Sequence, residues 1–179
     1  MWLPNQSLKK QIDFFLDEYF KNNFVIGLQL RYGDGNPNQI YLNKTEDTQK
    51  FINCALEIER ENKNNITFKS FKWFIASDTP ANLEIYLRNF TNKHFSTNGT
   101  LSHVAYNSDG YARTIIDVEL LSRCNELVIT GGSTFGWISA MKMQKLPYFV
   151  NGFRSMDKCL RANLGDRLPK TPTNYAVFK

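Results

Sequence analysis

The chain has 179 residues, of which 42% are hydrophobic and 22% are charged, and its formal net charge is +5. This length and apolar content support one domain with a substantial core. No apolar stretch approaches the roughly 18 residues of a membrane helix, and residues 1–10 lack the pattern of a signal peptide. Basic residues are interspersed with acidic ones, so we expect no nucleic-acid-binding stripe, and the charge fits a small anionic ligand at least as well as DNA or RNA.

The cysteines and the glycosylation sequons bear on the cellular compartment. The odd number and wide spacing of Cys54, Cys124 and Cys159 indicate neither a zinc site nor a disulfide framework. Cys54 and Cys124 lie on apolar faces of predicted helices, where buried thiols are expected. Five Asn-x-Ser/Thr sequons favour the secretory lumen, although an Asn-rich chain also produces them by chance. They begin at Asn5, Asn43, Asn65, Asn89 and Asn98.

The first two predicted elements lead to a candidate anion-binding residue. Residues 8–20 have the apolar spacing of an amphipathic helix, and residues 24–31 form the near-continuous apolar run of a central parallel strand. Arg31 stands at the carboxyl end of that strand, where open α/β sheets bind ligands, and its guanidinium can hold a phosphate bidentately. The alternative is that Arg31 pairs with Asp34 and only fixes the following loop.

A second strand end carries a carboxylate. Residues 45–61 predict a helix with Thr45 as its N-cap, and the apolar residues 73–76 predict the next strand. Asp78 follows that strand, just before a helix that starts near Pro80 with Thr79 as cap. Asp78 therefore either supports the cap or orients a loop or ligand group.

Residues 94–96 and 102–106 predict short strands, and residues 107–110 predict a turn before a helix that begins at Tyr111. A short strand over residues 127–129 follows that helix.

The loop after this strand is the second candidate ligand site. Gly131 and Gly132 allow close approach of a ligand, and Ser133 or Thr134 is placed to cap a helix over residues 135–143. The N–H groups and positive dipole end of that helix suit a phosphate or diphosphate. The plainer alternative is an ordinary strand–helix turn with a good cap.

The alternation of helices and strands predicts the fold. Residues 146–150 are expected to form the last strand, and residues 157–160 one helical turn. The pattern favours an α/β class with one Rossmann-like, doubly wound, mostly parallel sheet of roughly five strands. We expect residues 1–179 to form a single domain with Arg31, Asp78 and the loop 131–136 at one edge of the sheet.

Three segments resemble the shared motifs of the GDP-fucose-dependent fucosyltransferases, the α1,2, α1,6 and protein O-fucosyltransferases. Residues 25–34 resemble the first motif, a strand that ends in His-x-Arg-Arg-x-Asp. Residues 74–80 resemble the second, a strand that ends in Ala-Thr/Ser-Asp-x-Pro, and residues 116–122 with Thr130 and residues 133–137 resemble the third. The Ser-Thr-Phe-Gly-Trp loop and the single arginine of the first motif make the α1,2 branch the most similar.

The resemblance implies the C-terminal, sugar-nucleotide-binding half of a GT-B glycosyltransferase that binds GDP-fucose and transfers fucose to a glycan acceptor of the galactoside type. Arg31 takes the place of the arginine that holds the β-phosphate, and Asp117 that of the carboxylate that binds the guanine edge. Asp78 takes the place of the second-motif aspartate, with a more structural role. The diphosphate loop corresponds to Gly132, Ser133, Thr134, Phe135 and Gly136.

The reaction chemistry agrees with these roles. A departing diphosphate gains negative charge and needs a metal or fixed cations and dipoles. The sequence has no clustered Asp-x-Asp, so we expect transfer without a metal and with inversion, in which Arg31 and the helix N-terminus stabilise the leaving group. Two positions depart from the first motif: Gln29 replaces the histidine and can still hydrogen-bond guanine, and Tyr32 replaces the second arginine.

Three hypotheses follow. The chain is the donor half of a fucosyltransferase, with a missing N-terminal acceptor domain, and would then belong in the Golgi or secretory lumen. The alternative is a non-catalytic domain of the same fold that binds GDP, a GDP-sugar or nothing, and a cytoplasmic location stays open. An unrelated nucleotide- or phosphosugar-binding domain would need a Gly-x-Gly-x-x-Gly or Walker loop after the first strand, and residues 31–35 are neither.

Overall fold

The computed structural model describes residues 6–33, 46–64, 67–79, 83–97, 108–150 and 159–162. Five helices alternate with six strands along these ranges. The helices are α1 (Gln6–Phe15), α2 (Glu46–Asn62), α3 (Glu84–Leu87), α4 (Ser108–Leu121) and α5 (Thr134–Met143), with a π-helical turn over Leu16–Phe20 and a 3-10 turn over Arg88–Phe90. The strands are β1 (Asn23–Leu30), β2 (Ser70–Ser77), β3 (His94–Phe95), β4 (Glu126–Thr130), β5 (Tyr148–Val150) and β6 (Leu160–Arg161).

The strands form one sheet in the order β3-β2-β1-β4-β5-β6. All neighbouring strands are parallel except β5 and β6, which are antiparallel. From β1 the chain adds β2 and then β3 on one side. It then returns across the sheet, and β4 and β5 follow on the other side of β1. This is a doubly wound topology, and the predicted fold class is confirmed.

Side chains along the strands alternate between the two faces of the sheet, and each face has its own hydrophobic core. In β1, Ile26 and Leu28 pack on the face that carries α2 and α3, whereas Val25 lies on the opposite face with α1, α4 and α5. Both faces of the central strand are therefore covered, which explains its unbroken apolar sequence. The crossover helices α2 and α3 cover one face of the sheet, and α4 and α5 cover the other.

Several element predictions need correction. The helix predicted over residues 8–20 is α-helical only to Phe15 and continues as a π-helical turn. The turn predicted over residues 107–110 is wrong for residues 108–110, which already belong to α4. The predicted helical turn at residues 157–160 is wrong for Leu160, which lies in β6, a strand too short to leave a sequence signal. The predicted strand at residues 102–106, the cap at Thr45 and the helix start at Pro80 involve positions outside the described residues. Thr79 is not the N-cap of α3, which begins at Glu84 with Leu83 as its N-cap.

One cysteine prediction was wrong and one was right. Cys54 is not a thiol: it forms a disulfide with Cys159, with a Cα–Cα distance of 5.0 Å that lies in the ordinary range. The bridge joins α2 to the segment just before β6, across a sequence separation of 105. Cys124 is a buried free thiol, as expected, and burial raises its pKa.

Candidate functional site

The candidate site lies where β1 and β4 end side by side. After β1 the chain crosses to α2 on one face of the sheet, and after β4 it crosses to α5 on the other face. The two connections therefore diverge beyond the carboxyl ends of these strands, and we call the region between Arg31 and the start of α5 the crevice. Such a topological switch point is where open α/β sheets bind their ligands.

Arg31 follows β1 directly and lies at this crevice. Its main-chain N–H donates to the Thr130 hydroxyl at the end of β4, with an N–O distance of 2.9 Å. Its Nη1 is 3.1 Å from Oδ2 of Asp78, and 26% of the Arg31 side chain is exposed. A guanidinium has five N–H donors, so an ion pair through Nη1 is compatible with a second anion at the exposed side. The structure thus brings Arg31 to the place that the sequence predicts.

Asp78 organises the segment that follows β1. Its Oδ1 accepts a hydrogen bond from the N–H of Tyr32, and its Oδ2 accepts one from the N–H of Gly33, both at 2.9 Å. The N–H of Thr79, next to Asp78 in the chain, donates to Ser77 Oγ and not to the Asp78 carboxylate. Of the two roles considered for Asp78, the geometry therefore favours orienting a loop and the Arg31 guanidinium. Asp34, the other predicted partner of Arg31, lies outside the described residues.

The glycine loop forms the opposite wall of the crevice. Gly132 has a φ of +81°, a left-handed conformation that favours glycine. Ser133 is the N-cap of α5, as predicted: its hydroxyl accepts from Gly136 N–H at 3.4 Å, while its own N–H donates to the Thr130 carbonyl. Ser133 accepts from two of the first N–H groups of α5, those of Gly136 and Trp137. A helix start leaves the N–H groups before them without a partner inside the helix, and such groups can bind an anion.

The hydroxyls of this loop differ in accessibility. The side chain of Ser133 caps the helix and only 5% of the residue is exposed, whereas Thr134 is exposed and Phe135 is half-buried. A diphosphate can therefore meet the Thr134 hydroxyl and the main-chain N–H groups more readily than the Ser133 hydroxyl.

Gly136 allows α5 to lie close to the sheet. A Cβ at this position would be 2.7 Å from Gln29 Oε1 and 2.8 Å from Cβ of Ile129. We expect Gly136→Ala to lower the free energy of unfolding by about 1–3 kcal/mol, because α5 must move away from β4. Urea unfolding measures this, with Met141→Ala as control because Met141 lies on the same helix and is 75% exposed. An alanine variant as stable as the wild type would contradict the close packing of α5.

Gln29 is placed differently from its expected role. The residue is 3% exposed and its side chain lies under the first turn of α5, against Gly136. Its Oε1 accepts the main-chain N–H of Thr130 at 3.3 Å. As placed, this amide joins β1 to β4, and a bond to guanine would require the side chain to turn out of the core. Guanine binding by Gln29 stays a prediction.

Asp117 lies on α4 and is buried, with 1% of the residue exposed. Its Oδ1 accepts from the Thr97 hydroxyl at 2.6 Å, and its Oδ2 is 3.6 Å from Nε of Arg113. Within the described part of the chain, Oδ2 has no hydrogen-bond partner. Burial raises the pKa of Asp117 to about 6, against the lowering effects of Thr97 and Arg113. Because Thr97 follows β3, Asp117 also lies toward the carboxyl edge of the sheet.

Tyr32 occupies the position of the second arginine of the first motif. It is 3% exposed, and its hydroxyl is 2.5 Å from that of Thr48 near the start of α2. Burial is the main cause that raises the pKa of Tyr32 to about 12, so this hydroxyl stays protonated. Tyr32 therefore anchors the segment after β1 to α2 and adds no charge to the crevice.

The sequence analysis assigned no individual role to three polar residues around the candidate site. Thr130, Thr97 and Arg113 are each at most 5% exposed and hold Arg31 or Asp117 in place. Of these, only Thr130 had a sequence signal: it is a hydroxyl at a strand end before two glycines, and it belongs to the segment that resembles the third motif. The described residues contain no group of three His, Cys, Asp or Glu side chains that could hold a metal. None of the helices in these ranges is long and apolar enough to cross a bilayer.

Comparisons with known sequences give one consistent family. The sequence model of the family described as Nodulation protein Z (NodZ) matches residues 1–147. The curated Nodulation protein Z of Azorhizobium caulinodans is 28% identical over 133 residues, which cover 70% of this chain and 40% of that protein. The chain therefore spans well under half the length of this relative.

Solved structures share the fold. NodZ α-1,6-fucosyltransferase soaked with GDP-fucose matches with a TM-score of 0.54 and 18% identity, over 82% of this chain and 44% of that chain. A mutant of Arabidopsis thaliana FUT1 in complex with GDP matches with a TM-score of 0.60 and 15% identity, over 90% of this chain and 37% of that chain. Similarity at these identities is evidence for a common fold.

Proposed function

This chain belongs to the NodZ family, and from that premise we propose that it is the GDP-fucose-binding half of a fucosyltransferase. One observation carries the proposal. Arg31 and the N-terminus of α5 lie at the carboxyl ends of the adjacent strands β1 and β4, joined through Thr130, an arrangement that suits a diphosphate. The solved relatives described as bound to GDP or soaked with GDP-fucose have the same fold.

The proposed mechanism is inverting and independent of a metal. As the bond between fucose C1 and the diphosphate oxygen breaks, negative charge develops on the β-phosphate. Arg31 supplies a fixed cation and α5 supplies N–H donors and a dipole, so both favour the departing diphosphate over the intact sugar nucleotide. The acceptor hydroxyl attacks the opposite face of an oxocarbenium-like sugar. The general base and the acceptor site are assigned to the remaining part of the enzyme.

Partners and location follow from the same proposal. We propose GDP-fucose as donor and a glycan as acceptor, with a galactoside as the first acceptor to test. The matched family model is that of NodZ, whose solved structures are described as α-1,6-fucosyltransferase, whereas the sequence motifs are most similar to the α1,2 branch. The Cys54–Cys159 disulfide favours an oxidising compartment. The curated relative is bacterial, so the comparisons do not support the Golgi in particular.

A calorimetric titration tests the proposal. The chain is titrated with GDP, GDP-fucose, UDP and ADP in the presence of EDTA. We expect GDP and GDP-fucose to bind and UDP and ADP to bind at least about ten-fold more weakly, since a site that hydrogen-bonds a base discriminates strongly against bases that lack the matching groups. Equal affinity for all four nucleotides, or binding only with a divalent metal, would contradict the proposal.

A second candidate is a non-catalytic domain that binds GDP or a GDP-sugar. The buried Gln29 in place of the motif histidine favours this alternative. Both functions predict GDP binding and differ in turnover. Release of GDP from GDP-fucose on addition of a galactoside acceptor, by this chain together with the remaining sequence of the enzyme, supports the transferase. Tight GDP binding without any release supports the binding domain.

A further inference from the structure

The pairing of β1 with β4 stops just before the candidate site. The parallel register runs from Ile26 opposite Glu126 to Gln29 opposite Ile129. Beyond that pair the two strands must separate, because their connections leave on opposite faces. Past this point the hydroxyl of Thr130 joins the two strands in place of main-chain hydrogen bonds. It donates to the carbonyl of Gln29 at 3.0 Å and accepts from the N–H of Arg31 at 2.9 Å.

The main chain of Thr130 holds the other wall of the crevice. Its N–H donates to Gln29 Oε1 at 3.3 Å, and its carbonyl accepts the N–H of Ser133, the N-cap of α5, at 3.1 Å. One residue thus contacts both Arg31 and the start of α5. Thr130 is 0% exposed, so water does not compete for these bonds and they hold a fixed geometry.

We propose that Thr130 is a positioning residue that sets the spacing between the Arg31 guanidinium and the N-terminus of α5, and so determines affinity for the β-phosphate of the nucleotide. This inference rests on the proposed function, because it takes GDP as the ligand. Because Thr130 is fully buried, we assign it no direct contact with the nucleotide. It acts through Arg31: without the hydroxyl, the carbonyl of Gln29 and the N–H of Arg31 lose their shared partner and the first residue after β1 is free to shift.

Three variants separate the hydroxyl from the rest of the side chain. Thr130→Val keeps the shape and β-branching but removes both hydroxyl bonds, whereas Thr130→Ser keeps the hydroxyl and is the matched control. Thr130→Ala removes the hydroxyl without the added apolar methyl and replaces the valine variant if that variant does not fold. The thermal unfolding midpoint of each variant is measured first.

GDP and GMP are the probes, because only GDP has a β-phosphate. We expect Thr130→Val to bind GDP about ten-fold more weakly than the wild type and to bind GMP within about two-fold of it. Thr130→Ser is expected to bind both nucleotides within about three-fold of the wild type, because the hydroxyl bonds persist. A general loss of structure would weaken GDP and GMP binding alike.

A double-mutant cycle identifies the route of the effect. If Thr130 acts through Arg31, then Thr130→Val has no further effect on GDP affinity in an Arg31→Ala background. Equal losses for GDP and GMP, a serine variant as weak as the valine variant, or additive losses with Arg31→Ala would each overturn the positioning role. A wild type that does not prefer GDP to ADP overturns the proposed function itself, which is a different result from a GDP-selective wild type that Thr130→Val leaves unchanged.

Discussion

Arg31→Ala is expected to lower the affinity for GDP by about 100-fold, equivalent to about 3 kcal/mol. The guanidinium is the cation that follows β1, and it is held by Asp78 with 26% of its side chain open at the crevice. Removal leaves the β-phosphate facing the carboxylate of Asp78, whose side chain is only 4% exposed. The variant therefore loses an attraction and gains a repulsion. Calorimetric titration with GDP, at a fixed and stated ionic strength, measures the change.

Two matched variants make this result specific. Arg60→Ala also removes one positive charge, but Arg60 lies in the last turn of α2, at the opposite edge of the sheet, and its side chain is 72% exposed. We expect it to leave GDP affinity within about two-fold of the wild type. Arg31→Lys keeps the charge without the planar fork, and an intermediate loss is expected. An alanine variant at position 31 that binds GDP as tightly as Arg60→Ala would contradict the role of Arg31.

The edge of the sheet that carries the site could be predicted, because its position depends only on where the strands end and on their being parallel. Apolar runs located the strands, and in a parallel sheet every carboxyl end lies on the same side, so Arg31, Asp78 and the glycine loop had to share one edge. That placement required no knowledge of strand order. The N-cap at Ser133 was equally local, since it follows from the residue types around one helix start.

The partners of these residues could not be predicted, because they depend on strand order and on side-chain direction. Arg31 pairs with Asp78 because β2 is a neighbour of β1. The alternative partner that sequence proximity suggested, Asp34, lies outside the described residues. Thr130 reaches Arg31 because β4 is the other neighbour.

Side-chain direction also decides the fate of Gln29. Side chains of β1 alternate between the two faces of the sheet, and Gln29 lies on the same face as Val25, which is the face that α5 covers. The close approach of α5 at Gly136 then buries Gln29. The Cys54–Cys159 disulfide depends on a chain segment with no periodic pattern. Each of these unpredicted interactions joins segments that are far apart in the sequence.

Asp117 provides the prediction that tests nucleotide specificity. Its carboxyl has a pKa of about 6, raised by burial, and Oδ2 has no hydrogen-bond partner among the described residues. The N1–H and 2-amino groups of guanine are donors that would satisfy this oxygen and favour the ionised carboxylate. Adenine offers no such pair. Because only 1% of Asp117 is exposed, guanine must displace the groups that cover it.

The ratio of GDP affinity to ADP affinity is therefore expected to rise about ten-fold between pH 5 and pH 7, as the carboxylate becomes ionised. ADP is the internal control, because its phosphates titrate as those of GDP do. Asp117→Asn is expected to abolish both the preference for GDP and its pH dependence, since an amide presents an N–H where guanine needs an acceptor. Thr97→Val removes a hydrogen bond that lowers the pKa, so it should move the midpoint of the pH profile upward.

The raised pKa of Asp117 also predicts how the free energy of unfolding changes with pH. A carboxyl whose pKa is higher in the folded than in the unfolded chain contributes stability at low pH, and this contribution is lost as the pH rises from about 4 through 6. The shift from 3.8 to about 6 corresponds to about 3 kcal/mol of unfolding free energy. Urea unfolding of the wild type, relative to Asp117→Asn, should show this loss on going from pH 4 to pH 7. If the stability difference is flat over that range while the preference for GDP persists in the variant, then Asp117 is neither a raised-pKa carboxyl nor the guanine-binding group, and another residue must read the base.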